Sequence, residues 1–306
     1  MIDLAPPPLV LARPAIIRPA EAALLRHGGD PVALAMMAGM PVVAGRRRAP
    51  LSPRLYDVLT FLGLLPGVYV CLDARDASSY TTGQTWSDRS GNGIDFYRGT
   101  TSGTQGTDPT FTGSAGDIGA YWSFDGGDYF TVAAGNTTRI NNLHKNNAIF
   151  SMVMWFYRTT SGAVVALAGT AFGSSANVGV QLFVAASGNL QLGLRKGGSS
   201  EFFTGSGAPL ASATGWNFVG FSQDEAVGAG GLNFYVNGQQ YGSVNGAYTS
   251  PSASNATHAM NIAAAGNGDT PFPNGNRLAM FGLWEGSALS ASEMLNIYRW
   301  TAPAFA

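Results

Sequence analysis

An antiparallel β sandwich closed by one C-terminal helix is the fold class this sequence predicts, and three observations predict it. Charged residues are sparse, 11% of 306, while glycine is abundant at 41 residues; many short strands joined by glycine-rich turns have this composition. Leu232, Phe234 and Val236 alternate with Asn233, Tyr235 and Asn237, the period of a half-buried strand. Turn residues recur at the spacing of a sandwich, roughly every 8–12 residues.

Taken in order, residues 1–66 stand apart. Pro6, Pro7, Pro8, Pro14 and Pro19 favour extended or polyproline backbone. A short helix is predicted after Pro19, ended by Gly28 and Gly29, and Asp30 can cap a second one that starts at Pro31. A further helical turn over 56–65 stops at Pro66. Leu9, Leu11, Ile16 and Ile17 are among many apolar side chains here that need burial, and Arg46, Arg47 and Arg48 follow them. Residues 1–65 carry seven arginines (13, 18, 26, 46, 47, 48, 54) against four acids (3, 21, 30, 57), leaving ten basic and fourteen acidic residues in the remainder. This apolar, basic, proline-broken segment is expected to be an arm that docks on other subunits, with packing on its own β domain as the alternative. The division expected is therefore 1–66, the arm, and 67–306, the β domain.

Within the β domain, strands are predicted near 68–72, 94–98, 121–124, 128–133, 148–157, 163–168, 178–185, 190–195, 201–204, 216–222, 232–237, 239–244, 258–264 and 277–284. The run 148–157 is nearly all apolar and so belongs at the centre of a sheet. Asn237-Gly238 supplies the positive φ angles of a two-residue hairpin. Ser290 and Glu293 form a capping box, with Leu289 and Met294 placed for a hydrophobic staple, so a helix starts there; Leu295 and Tyr298 share the face expected to pack on the sandwich.

Cys71, the one cysteine, excludes an internal disulfide and reads as a small core residue. The N-terminus does not read as a signal peptide. The apolar run 31–45 is shorter than the roughly 18 residues of a membrane span, and Pro41 interrupts it.

Four stretches carry a family resemblance. The hairpin region 215–242, with Trp216 and Leu232-Asn-Phe-Tyr-Val-Asn-Gly238, resembles the "W…lyvNG" hairpin of laminin-G-like, concanavalin-A-like jelly-roll domains. Leu278 to Leu295 is similar to their last strand and its following helix. Trp86-Ser-Asp-Arg-Ser-Gly-Asn-Gly93 resembles an early turn, and Phe124-Asp-Gly-Gly-Asp-Tyr-Phe130 a strand start. In order, the four cover about residues 67–300. The resemblance implies an all-β antiparallel jelly roll, and it places Trp86 in the core.

The family's hydrolases carry closely spaced carboxylates on one strand, and acid–base hydrolysis needs such a pair. None of the five glutamates (21, 201, 225, 285, 293) has a carboxylate two residues on in a strand, and the three histidines (27, 144, 258) and two lysines (145, 196) do not match the lyase pattern. No nucleophile elbow or phosphate loop is present. No enzyme activity is therefore expected. His144, in a polar loop, reads as a solvated residue. Related domains bind calcium on the sandwich rim; that resemblance points to Asn267 and Asp269, whereas Asp88 and Asn92 read as turn-fixing residues. No other cofactor is implied. Carbohydrate contact needs exposed rings among planar polar groups, and Tyr80, Tyr97, Tyr248 and Phe272 are the loop rings expected to supply them.

An adhesion-type fold with a docking arm, no disulfide and no recognisable leader predicts a virion protein: a spike, fibre or tail component of a tailed-phage-like particle, assembled in the cytoplasm and displayed to bind cell-surface polysaccharide. Its expected partners are other virion subunits through the arm, copies of itself and host glycan. The β domain is acidic, which disfavours nucleic acid. The alternatives are a bacterial lectin-like adhesion protein outside any virion and, less favoured, a glycan-active enzyme.

Overall fold

The computed structural model describes residues 53–133, 140–159, 162–205 and 214–305. The arm residues Leu9, Leu11, Ile16, Ile17, Arg46, Arg47 and Arg48 fall outside them. Two antiparallel sheets of eight strands each are found among the described residues. The first runs β14 (Gln239–Val244), β13 (Leu232–Val236), β12 (Gly215–Asp224), β7 (Ile149–Arg158), β16 (Arg277–Glu285), β5 (Tyr121–Ser123), β4 (Thr110–Thr112), with β1 (Val70–Asp73) paired to β16 beyond β5. The second runs β11 (Ser200–Thr204), β10 (Leu190–Lys196), β9 (Val178–Val184), β8 (Val165–Gly169), β15 (Asn261–Ile262), β6 (Phe130–Val132), β3 (Phe96–Arg98), β2 (Thr85–Trp86). Every predicted strand is present. Strands β2 and β4, two and three residues long, were not predicted, because runs so short carry no readable alternation.

The sandwich core follows from strand alternation. Leu232, Phe234 and Val236 point between the sheets, with Phe156, Leu182, Leu192, Phe221, Ile262 and Phe281, while Tyr235 points to the opposite face of its sheet. Asn237 (φ 48°) and Gly238 (φ 75°) close the β13–β14 hairpin, pairing Val236 with Gln239, as a type I′ turn requires. Trp86 and Trp122 are fully buried and meet edge to face at 5.6 Å. Cys71 is buried and free.

The outer face of the first sheet carries a second core, and this explains why β7 and β12 are apolar on both faces. Two helices cover it: α1 (Leu55–Leu62) and α2 (Ala291–Thr301). Leu55, Leu59, Met294 and Ile297 pack on Val153, Trp155, Phe218, Tyr235, Met280 and Trp284. Burying each large apolar side chain stabilises by roughly 1.5–3 kcal/mol. Small residues make the room: Gly220, Val153, Gly282 and Cys71 are register partners across four strands, and a methyl group on Gly220 would lie 3.0 Å from the Met294 sulfur. The capping box of Ser290 and Glu293 starts α2 as predicted, and Leu289 and Met294 are both buried in this core. The buried stripe of α2 differs from the expected Leu295–Tyr298 face. It is Met294, Ile297 and Thr301, with Tyr298 at its flank, because Met294 is the side chain that seats over Gly220.

Helix α1 lies in the stretch assigned above to the arm, yet Leu55, Val58 and Leu59 are fully buried. Its first free N–H groups need a partner, and the Leu55 N–H donates to the Asp73 carboxylate at 2.8 Å. Residues from 53 onward thus belong to the packed β unit.

Candidate functional site

Trp155 Nε1 donates to Thr301 Oγ1 at 2.8 Å, and Phe305 stacks on Trp155 at 4.1 Å. That contact marks the end of the helix-covered part of the first sheet. Two residues further along each strand, the outward side chains form a row across five strands: Thr110 of β4, Ser123 of β5, Arg277 of β16, Tyr157 of β7 and Trp216 of β12. Each is the register partner of the next. All five are at least partly exposed. At the spacing of neighbouring strands the row is about 19 Å long, the length of a few linked sugar rings. Their chain neighbours Trp122, Leu278 and Phe156 point into the sandwich core, so the row stands on a rigid floor.

The geometry of the row centres on Arg277. Its guanidinium carbon lies 4.7 Å from the ring centroid of Tyr157 on one side of β16 and 4.7 Å from that of Tyr121 on the other. Trp216 meets Tyr157 at 5.7 Å and Tyr121 at 6.1 Å, both edge to face, and Phe305 at 4.9 Å. Ser123 Oγ donates to Thr110 O at 3.1 Å. Partly exposed aromatic rings beside hydroxyls and a planar cation are the groups that recognise sugar rings and their substituents.

The rings singled out from sequence lie elsewhere. Tyr80 (5% exposed), Tyr248 (6%) and Phe272 (0%) are core residues, which is a correction: a stacking platform needs an exposed ring face. Tyr80 packs on Trp122 at 4.4 Å, Phe272 on Phe124 at 5.0 Å, and the Tyr248 hydroxyl donates to Leu143 O. Burial raises the Tyr248 hydroxyl far above its usual range. Tyr97, on β3, is half-exposed and stands in the other sheet, apart from the row. His144 is also buried, against the expectation of a solvated loop residue, with Nε2 2.9 Å from Ser254 O; burial lowers its pKa.

Asn267 and Asp269 are exposed, and Asn267 takes a left-handed φ of 66°. Calcium takes six to eight oxygen ligands. Asp269 is the only carboxylate of the 263–270 loop, and among the described residues no three His, Cys, Asp or Glu side chains gather to hold a metal. Asp88 is not available for one: its oxygens accept from the N–H groups of Cys71, Ser90 and Ile94 and from the Ser90 hydroxyl. Asn92 likewise donates to the carbonyls of Val68 and Tyr69.

Each described glutamate accepts hydrogen bonds within the protein. Glu201 accepts from Thr249, Glu225 from the N–H groups of Asn147 and Tyr248, Glu285 from Asn142, and Glu293 caps α2. A cleft of about 340 Å³ opens beside the N-terminal end of α2, lined by Asp224, Asn233, Gln240 and Ser290 among others. Its one aromatic, Tyr235, is 2% exposed, so the cleft has no ring face to offer.

Sequence reasoning missed Tyr121, Tyr157, Trp216 and Arg277 as a set. Tyr157 and Trp216 were read as parts of central strands, which they are. The one signal available was parity: counting outward positions along β7 and β12 puts both rings on the same face at the strand ends.

Comparison with known proteins agrees with this architecture. Domain 4 of AbnA, a GH43 extracellular arabinanase from Geobacillus stearothermophilus solved with arabinotriose, superposes with a TM-score of 0.51 at 17% identity, over 76% of this chain and 98% of that one. The binding domain of botulinum neurotoxin serotype D gives 0.51 at 14% identity, over 76% of this chain. A structure of botulinum neurotoxin type C, a toxin whose cell entry depends on interaction with two ganglioside molecules, gives 0.52 at 11% identity, over 77%. The present chain spans about half of each toxin structure. At these identities the likeness is one of fold. No curated protein matches the sequence. A family profile matches residues 124–294, more than half of the chain. The chain belongs to the concanavalin A-like lectin/glucanases superfamily.

Proposed function

We propose that this protein is a non-enzymatic virion structural and adhesion protein. In this reading its β sandwich binds host-surface glycan along the row from Thr110 to Trp216, and its N-terminal segment docks it on a phage-like particle. The observation that carries glycan binding is the row itself: aromatic rings, hydroxyls and a guanidinium in register across five strands of a lectin-family sandwich. The arabinanase domain held with arabinotriose supports the reading by analogy of fold. The non-enzymatic reading rests on the structural bonding of the described glutamates. The virion reading rests on the amino-acid sequence of residues 1–52, apolar, proline-broken and surplus in arginine.

The test is a panel of bacterial surface polysaccharides immobilised and probed with the full-length protein, beside a reducing-end assay on the same panel. Saturable binding that Trp216→Ala weakens, with no release of sugar ends, is the expected result. Binding unaffected by Trp216→Ala would move the site off this row, and turnover would remove the non-enzymatic reading.

A further inference from the structure

We infer that the glycan bound on this row carries a carboxylate, as in a uronic or other sugar acid, and that Arg277 is its ligand; the inference rests on the glycan-binding reading above. It follows from how Arg277 is held. Of the other described arginines, Arg54, Arg75, Arg89, Arg98, Arg158 and Arg195 each donate to a protein acceptor, and Arg299 of α2 is exposed. Arg277, half-buried, donates to none among the described residues and pairs with no carboxylate there. What holds it is two rings, one from each neighbouring strand, at 4.7 Å.

A guanidinium has two faces and an edge. The two rings beside its carbon offer no oxygen acceptor, so its coplanar N–H donors remain for a ligand. That fork matches the two oxygens of a carboxylate. Lying over the rings also fixes the side chain, so less entropy is lost when the donors engage. Ser123, the register partner of Arg277, and Thr110 beyond it place hydroxyls on one side, and Tyr157 and Trp216 place aromatic rings on the other. A pyranose seated beside Trp216 would bring an equatorial carboxylate towards Arg277, and the hydroxyls of the next sugar along the polymer would reach Ser123. The sequence beyond residue 65 holds ten basic and fourteen acidic residues, so attraction at Arg277 is local to the row and not a general cationic surface.

The experiment takes the polysaccharides retained by the full-length protein, reduces their carboxylates chemically to primary alcohols, and compares binding of the wild type, Arg277→Gln and Arg277→Lys at two salt concentrations. A sulfated neutral polysaccharide serves as a charge control. Carboxyl reduction is expected to weaken wild-type binding about tenfold or more. Arg277→Gln should show the same loss on the native polymer and no further loss on the reduced one. Arg277→Lys, which keeps the charge without the fork, should fall between. Equal binding of native and reduced polymer by the wild type would overturn the carboxylate assignment while leaving glycan binding intact. Sulfated polymer bound as tightly as carboxylated would replace it with charge alone. Retention of no polysaccharide at all would overturn the glycan reading itself. Thermal melts guard against misfolding, and Arg277→Lys keeps the test alive if the glutamine variant is unstable.

Discussion

Asp73 and Arg75 form a bidentate ion pair, Nε to Oδ1 and Nη2 to Oδ2 at 2.8 Å each, with side chains 1% and 0% exposed. The pair ties three segments together. Asp73 also receives the Leu55 N–H at the start of α1, and Arg75 donates to Pro53 O and lies over the Phe305 ring at 4.7 Å. Removing one partner leaves a buried charge uncompensated, at a cost of about 3–5 kcal/mol. Asp73→Ala is therefore expected to lower the denaturant midpoint strongly, and Asp73→Ala with Arg75→Met to recover part of the loss.

Gly238 lies under Tyr298. A methyl group on Gly238 would come within 2.7 Å of the ring, and its φ of +75° disfavours any L side chain. Gly238→Ala should destabilise by about 1–3 kcal/mol through the β13–β14 hairpin and the seating of α2 together. Hydrogen exchange would show both elements loosened; a change confined to the hairpin would refute the coupling.

Trp216→Ala and Tyr157→Ala are expected to weaken polysaccharide binding by about tenfold or more each. Phe202→Ala, which removes a half-exposed ring from the other sheet, should leave it unchanged. Calorimetric titration of the three variants distinguishes this row from any other aromatic surface.

Asp128 gives the stability a pH signature. Burial, opposed in part by the Asp125 N–H and reinforced by the Asp125 carboxylate, raises its pKa from 3.8 to about 6. Between those values the folded state binds more protons than the unfolded one, so stability falls as pH rises from about 4 to about 6 and the loss persists above it. Asp128→Asn, neutral throughout, should lack this slope and be more stable than the wild type at pH 7, by an amount of order 1–3 kcal/mol. His144 works in the opposite direction. Its pKa is lowered by burial, so it opposes folding as pH falls below its ordinary 6.5. Melting curves of single and double variants over this range separate the two.

Under the proposed docking role, deleting residues 1–50 should leave the sandwich folded, with α1 and the Asp73–Arg75 pair intact, and abolish entry into particles. Light scattering of the truncated protein and its assay in purified particles check this. Normal incorporation would remove the docking role from the segment.

The sandwich was legible because its signals are local. The alternation over 232–236, the Asn237-Gly238 turn and the Ser290–Glu293 box each fix a backbone conformation on their own. The row proposed as the binding site was not, because it is made by register. Thr110, Ser123, Arg277, Tyr157 and Trp216 are scattered over more than 160 residues of chain and become neighbours only through strand pairing. Tyr80, Tyr248 and Phe272 misled for a related reason: each sits in a loop-like stretch of sequence, yet the loops of this fold turn those rings inward.

The strands under the row have a division of labour that bears on how the protein can change over generations. On β5, β7 and β16, Tyr121 and Ser123 flank Trp122, Tyr157 follows Phe156, and Arg277 precedes Leu278. One parity holds the fold together and the other faces outward. Replacements at the outward positions can re-letter the surface while the inward residues keep the scaffold constant. A lineage under pressure from a shifting coat of polysaccharide could thus track its target by substitutions at a few positions, without rebuilding the protein that displays them.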